Sequence, residues 1–375
     1  MLWLRRWRSS RVGERQAIEP AHKFATLDGM RGVAAATIVI RHCPALFGRF
    51  GFPNSQLAVD LFFLLSGFVL AHAYEQRISG VMGWGEFMRR RAIRLYPLYL
   101  LGTFLGIAGM VGATLGHVSV ELPPRSILSA AGAAIFMLPW GTIAALYPLD
   151  PPAWSLGFEL IGNGVYAALL RQRALGLGVL GALVCSCGLL MIATTLWIGD
   201  VSGGDRWPVA SAGFVRVGFS FFAGVLLYRL PRPSFSVPAW LPCVLLGVAL
   251  WFQMSGPFNA AYQLIMVLSV FPLLVWSAAG TEPSARARPS FQFCGAVSYG
   301  VYILHKPVED ILAGSAVKLH INLSPYTPAA GFIFLVILAL VVWLLDKYYD
   351  KPIRNMLGAA RALKFTRAGY ADGQA

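Results

Sequence analysis

The sequence predicts an all-α polytopic membrane protein with about ten transmembrane helices and one re-entrant or broken segment. Three observations carry that expectation. Of 375 residues, 57% are hydrophobic and only 13% are charged, whereas a soluble domain carries roughly 25% charged residues. Eleven apolar runs approach the length of about 20 residues that a helix needs to cross the hydrocarbon. The basic residues, which give a formal net charge of +14, fall in short clusters between those runs rather than along one face. That distribution speaks against nucleic acid as a partner and for topology signals in a lipid bilayer.

The runs lie near 31–48, 57–74, 95–115, 127–146, 153–170, 174–198, 212–228, 237–254, 260–279, 293–312 and 328–346. Lysine and arginine are enriched in cytoplasmic loops. Here they cluster at Arg5 to Lys23, at Arg89, Arg90, Arg91 and Arg94, at Arg171 and Arg173, at Arg229 and Arg232, at Arg286 and Arg288, and from Lys347 to Arg367. The alternate loops hold only Arg49, Arg125, Arg206 and Lys318. If all eleven runs crossed, the clusters at 171–173, 229–232 and 286–288 would be forced outside; if 127–146 does not fully cross, every cluster lies inside. That run contains Pro139 and Gly141 and leads into "YPLDPPAW", and broken backbone is tolerated at membrane depth where protein or water covers it. Ten crossings are therefore expected, with both termini cytoplasmic. The chain divides into a basic cytoplasmic segment at 1–23, a membrane domain at 24–355 and a basic cytoplasmic tail at 356–375. The opening "MLWLRRWRSSRVGERQ" lacks the apolar core and small-residue cleavage site of a secretory signal, so it is expected to remain in the cytosol.

Two patterns read as structural. Cys43, Cys185, Cys187, Cys243 and Cys294 fall in or beside apolar runs without the paired spacing of zinc or disulfide sites; they read as small buried hydrophobes, and no metal is expected. "GLGVLG", at Gly176, Gly178 and Gly181, has dinucleotide-binding spacing but no preceding strand. Inside an apolar run it reads as a helix-packing face.

Ionisable residues within spans cost roughly 2.5–3.5 kcal/mol at the membrane centre, so each asks for a partner, a cavity or a function. Arg31 and His42 are eleven positions apart in "LDGMRGVAAATIVIRH", about 16 Å along one face of a helix. Arg31 is expected at the cytoplasmic mouth and His42 deep inside. A histidine there either acts as a general base or is hydrogen-bonded to a neighbouring helix. Asp60, at the outer end of the second run, can orient a histidine or pair with Arg41; Ser66 and Gly67 follow, read chiefly as helix packing. Arg91 and Arg94 are neighbours on a helix surface. Guanidinium groups suit phosphate, so with Arg31 they can hold an anion, although positive-inside topology also explains the cluster.

Glu159, with Trp154, Ser155 and Asn163 nearby, reads as a polar cavity. Arg216 lies in the outer part of a later run and is expected to pair with another charge. "SYGVYILHKPVED" places Tyr299, Tyr302, His305, Lys306, Glu309 and Asp310 along one span, with Tyr302 and His305 sharing a face.

Taken in order, "LDGMRG" with His42, "VDLFFLLSGF", "RRRAIRLYPLY", "AWSLGFE" and "SYGVYILHKPV" resemble the motifs of the transmembrane acyltransferase 3 family across about residues 24 to 355. The resemblance implies an O-acyltransferase of the bacterial inner membrane that acylates sugars or other hydroxylated acceptors. It implies that His42 is the essential histidine, Arg31 its basic companion, and Arg91 and Arg94 the motif that binds acetyl-CoA or another acyl-CoA at the cytoplasmic side. Asp60, Glu159 and His305 are grouped with His42 as candidate catalytic residues that orient it or the acceptor. Ser66, Trp154, Ser155, Tyr299, Tyr302 and Arg216 are further motif positions. A transient acyl-histidine is a variant of this mechanism. "YYDKPIRN" departs from the family by placing Asp350 where glutamate is common, and no esterase-like extracytoplasmic domain is expected after the last span. The implied partners are acyl-CoA, a carbohydrate or lipid-linked acceptor and the bilayer. The rival reading is a proton-coupled transporter or exporter of a sugar or lipid, although the two halves hold no matching pair of interrupted helices.

Overall fold

The structure, a computed structural model, describes residues 24–116, 121–233 and 235–359. The expected cytoplasmic segment at 1–23 lies outside the described residues, as does the tail from residue 360 onward. The helices are α1 (Ala25–His42), α2 (Pro44–Phe47), α3 (Ala58–Ser79), α4 (Trp84–Leu115), α5 (Ile127–Ile135), α6 (Ala153–Arg171) and α7 (Leu177–Ile198). They continue with α8 (Ala210–Arg229), α9 (Trp240–Trp251), α10 (Pro257–Ile265), α11 (Phe271–Ala279), α12 (Arg288–Lys318) and α13 (Ala329–Leu345). A π-helical turn, Met266–Val270, joins α10 to α11, and a second, Asp346–Asp350, prolongs α13. Among the described residues there is no strand, only an isolated bridge between Ala145 and Arg206.

The chain is an all-α membrane protein. Lipid offers no hydrogen bonds, so a spanning backbone must satisfy itself, and the helix does this within one segment. Among the described residues, six helices are long and apolar enough to cross: Ser55–Ser79, Trp84–Leu115, Leu177–Ile198, Trp207–Arg229, Pro257–Ala279 and Ala329–Ala359. Helices α1, α6 and α12, of 18, 19 and 31 residues, are outside that set and carry many of the polar residues singled out in the sequence. Helix α9 is twelve residues long, about 18 Å, and shorter than the roughly 30 Å hydrocarbon core.

Burial separates an inner from an outer layer. The apolar window of Ser55–Ser79 is 72% buried, that of Leu177–Ile198 only 17%, and α7 turns Leu189, Leu190, Leu196 and Trp197 outward. At the centre α1 packs on α12, α3 on α8 and α4 on α12. Small residues permit these approaches, since a β-carbon on Gly67 would meet the Phe221 carbonyl and one on Gly224 the Leu64 carbonyl. Dispersion contacts between closely packed backbones replace the hydrophobic drive that lipid does not supply.

The expected broken run takes a definite form, and two other expectations change. The run at 127–146 is helical only over α5, about 13 Å, and then turns at Met137, whose φ is 54°. The chain beyond it is held by its own contacts: Leu146 N–H donates to Asp205 O and Trp207 N–H to Ala144 O. Gly176, Gly178 and Gly181 do not mediate packing, because a β-carbon on any of them would meet nothing within 4 Å; they open α7 on the outer layer. The cysteines are all free, but only Cys43 is buried and Cys185 is exposed, because its helix faces outward.

Gly67→Val drives a branched side chain into the α8 backbone. The expected result is destabilisation by about 1–3 kcal/mol or more, read as a lower unfolding temperature in detergent, while Gly178→Val leaves it unchanged.

Candidate functional site

A cavity of about 310 Å³ opens between α1, α3, α4, α6 and α12, within the size range of small-molecule sites. Its charged lining is Arg31, Arg90, Arg91, Arg94 and Glu159, so cations outnumber the single carboxylate. The rest is largely apolar, from Val59, Phe62, Phe63, Val69, Leu70 and Leu156, with Ser66, Ser155, Tyr299 and Tyr302 as polar points. An anionic group among the arginines and an apolar or uncharged arm beyond them is the ligand shape this lining fits.

The four arginines near the start of α4 diverge because successive helical positions are about 100° apart. Arg89 donates to the Leu357 carbonyl at 3.3 Å, and Arg90 reaches Glu86 on its own helix at 2.7 Å. Arg91 turns inward and donates to Glu159 at 2.8 Å, where Ser66 also donates at 2.6 Å. Arg94 lies over the Tyr299 ring, 5.3 Å from its centroid, and 3.6 Å from Asp350. Asp350 in turn is paired with Arg354 at 3.0 Å. Trp84 anchors the start of α4 to α6 by donating to the Gly164 carbonyl at 2.9 Å. Nε of Arg31 is buried without a hydrogen-bond partner, a donor available to whatever occupies the cavity.

The two histidines meet. His42 is the last residue of α1. The residue before a proline disfavours helical φ/ψ, so Cys43, ahead of Pro44, ends the helix there. His42 Nδ1 lies 2.9 Å from Nε2 of His305 on α12, and the two rings meet edge to edge, their planes 13° apart and their centroids 5.1 Å apart. His305 is 0% exposed and its Nδ1 is 2.7 Å from the Tyr302 carbonyl. The Tyr302 hydroxyl is 2.8 Å from that of Ser155 and donates to Pro152 O at 3.2 Å. Tyr302 and Ser155 line the cavity whereas the histidines do not. His42 is exposed rather than deep inside, because it lies at the tip of its helix. The pair therefore stands beyond the Tyr302 end of the cavity. On the next turn Lys306 bridges Glu309 at 2.7 Å and Asp310 at 2.5 Å.

Asp60 is not brought to His42, nor to Arg41. It is taken up by Arg216, which contacts both its carboxylate oxygens at 2.7–3.2 Å, and Ser220 adds a longer bond at 3.4 Å. Both charges are at most 4% exposed. Arg216 also donates to the carbonyls of Gly203 and Gln56 and sits 5.3 Å from the Trp154 ring centroid. That network holds Trp154 and the start of α6, and hence Ser155, in place. Arg41 donates to the Pro53 carbonyl at 2.7 Å instead. Asn163 does not join Glu159 in the cavity; it is buried, with both amide atoms unpartnered.

The structure thus gathers Arg31, Arg91, Arg94, Ser66, Ser155, Glu159, Tyr299 and Tyr302 around one cavity and pairs His42 with His305 beside it. Sequence reasoning missed Arg354 and the link from Asp350 to Arg94. It also missed the clamp in which Glu75 accepts from Arg229 at 3.0 Å and from Tyr166 at 3.3 Å. The carboxylate signals were present, but their partners lie on helices far away in sequence. No group of three or more His, Cys, Asp or Glu that could hold a metal ion occurs among the described residues.

The described helices thus form an all-α membrane bundle with an arginine-lined cavity that ends beside a histidine pair. Residues 24–345 match the acyltransferase 3 family, described as an acyltransferase domain, and the chain belongs to that family. It is a membrane acyltransferase. It is similar to "Protein 2 in picA locus" of Rhizobium radiobacter, at 40% identity over 46% of this chain and 96% of the relative. It is also similar to "Exopolysaccharide production protein ExoZ" of Rhizobium meliloti (strain 1021), 25% identical over 85% of this chain and 96% of that one. "Putative membrane-bound transacylase BcsY" of Komagataeibacter xylinus is 25% identical over 77% and 73% of the two chains. No solved structure matches.

Removing one partner of a buried ion pair leaves an uncompensated charge at a cost of about 3–5 kcal/mol. Arg216→Met alone is expected to lower the unfolding temperature sharply, and Arg216→Met with Asp60→Leu to recover most of the loss in the same thermal scan.

Proposed function

We propose that this protein moves an acyl group, in the first instance acetyl, from cytoplasmic acyl-CoA to a hydroxyl of a carbohydrate or lipid-linked acceptor at the bacterial inner membrane. The reading includes ten crossings with both termini cytoplasmic. The observation that carries it is the arrangement along α12, where Tyr299 and Tyr302 line the arginine-bearing cavity and His305, one turn on, holds His42. The relative named for exopolysaccharide production supports a polysaccharide acceptor.

In this mechanism the donor's phosphates lie among Arg31, Arg91 and Arg94, and its acyl-bearing arm runs along the apolar lining toward Ser155 and Tyr302. Bidentate guanidinium groups suit phosphate oxygens. His42 takes the proton of the acceptor hydroxyl as the oxygen forms its bond to the acyl carbon. The carbon–sulfur bond then breaks, the thiolate leaves with the donor, and the imidazolium gives its proton to water, so the protein ends unchanged. Glu159 holds Arg91 in the cavity and is a positioning residue on this reading, as is Asp60 through Arg216 and Trp154.

The test is acyl transfer from labelled acetyl-CoA by membranes bearing each variant. General-base loss costs about 10²–10⁴-fold in rate, the fall expected for His42→Ala. Arg94→Ala raises KM for the donor more than it lowers kcat. Near-wild-type turnover by a normally folded His42→Ala protein overturns the mechanism. For orientation, in intact cells bearing the protein with its five native cysteines replaced, a membrane-impermeant thiol reagent is expected to label a cysteine placed at Arg49 and not one placed at Arg286; the reverse pattern overturns the topology.

A further inference from the structure

We infer that His305 is the positioning residue that fixes the tautomer of His42, holding the proton on Nδ1 and leaving Nε2 as the free base on the exposed side. The inference rests on the acyltransferase reading of His42 and deepens it, because the pair alone does not say which residue reacts.

The argument is a count of protons along one chain of hydrogen bonds. A backbone carbonyl only accepts, so the 2.7 Å contact between His305 Nδ1 and Tyr302 O requires the proton to be on that nitrogen. A neutral imidazole carries one N–H and one lone pair. Nε2 of His305 is therefore the acceptor, and at 2.9 Å its partner, His42 Nδ1, must be the donor. The opposite tautomer of either ring would set two lone pairs facing each other. What remains on His42 is the Nε2 lone pair, at the exposed tip of α1, where an acceptor arriving from outside the bundle meets it.

The surroundings favour this role. His305 cannot itself meet a substrate at that face, being 0% exposed. Among the described residues no carboxylate is hydrogen-bonded to either ring, since Glu309 and Asp310 are engaged by Lys306. Arg41 is turned to the Pro53 carbonyl. A buried imidazole thus fills the orienting position that a carboxylate occupies behind other catalytic histidines. When His42 takes the acceptor's proton, its Nδ1–H still points at the His305 lone pair, so the new charge is met by an acceptor already in place.

The experiment is ¹⁵N NMR of the full-length protein, labelled in its histidine rings, in detergent or nanodiscs, with the His42 signal assigned by its loss in His42→Gln. The ring-nitrogen shifts are expected to show the Nδ1–H form in the wild type; a predominant Nε2–H form overturns the inference. His305→Gln places a carbonyl oxygen toward His42 and an N–H toward Tyr302 O, and is expected to keep turnover within about 10-fold. His305→Leu has neither, and is expected to lose about 10²-fold or more in kcat with KM for acetyl-CoA unchanged; full turnover by His305→Leu also overturns the inference. If that variant fails to fold, the wild-type spectrum still decides. Full activity of His42→Ala, with the Nδ1–H form present, instead overturns the acyltransfer mechanism and leaves the tautomer assignment standing.

Discussion

The close approach of α1 to α12 is the constraint on which the site depends. A β-carbon on Gly32 would collide with Cys294, and one on Gly295 with Asp28, so the helices touch along glycine faces on both sides. In lipid, where apolar side chains gain little by leaving their surroundings, such backbone proximity is a main source of association. With that contact made, the spacing along α1 does the rest. Arg31 falls beside the cavity and His42, about 16 Å farther along, falls beside His305. A shift of one helix by a single turn would separate the rings and move Arg31 off the cavity wall.

Buried charge is managed by pairing in layers. Near the histidine end, Arg216 and Asp60 form a closed pair that also binds two backbone carbonyls. Near the opposite end, Arg229 and Tyr166 share Glu75. Between them lies the cavity, where pairing is incomplete: Arg91 has Glu159, Arg94 has a distant Asp350, and Nε of Arg31 has no partner. Unsatisfied buried donors are costly. Arg31 Nε, Arg91 Nε and Arg94 Nη1, all without a hydrogen-bond partner, fall together at this cavity, so a ligand accepting from them would contribute to stability.

Much of this was legible in the sequence. Apolar runs and basic clusters identify a membrane bundle, and ionisable residues inside those runs identify most of the cavity and both histidines. What the sequence could not reveal is partner choice. Asp60 reads equally well toward Arg41, a histidine or Arg216, because helical periodicity gives the face of one helix and not its neighbour. The depth of His42 was misjudged for a local reason, since Cys43 and Pro44 end the helix just after it. Ser66 read as packing because its hydroxyl partner, Glu159, lies on another helix. The glycines of α7 read as packing because small residues in an apolar run carry no mark of whether another helix or lipid faces them.

The Ser155–Tyr302 hydrogen bond has a consequence for permeability. An aqueous cleft rich in arginine on one side and an exposed imidazole on the other would, if continuous, let water and ions leak through the bilayer. The described cleft stops at that hydroxyl pair, with the fully buried His305 ring one turn beyond Tyr302. The hydroxyl pair thus closes the described cavity short of the two histidines.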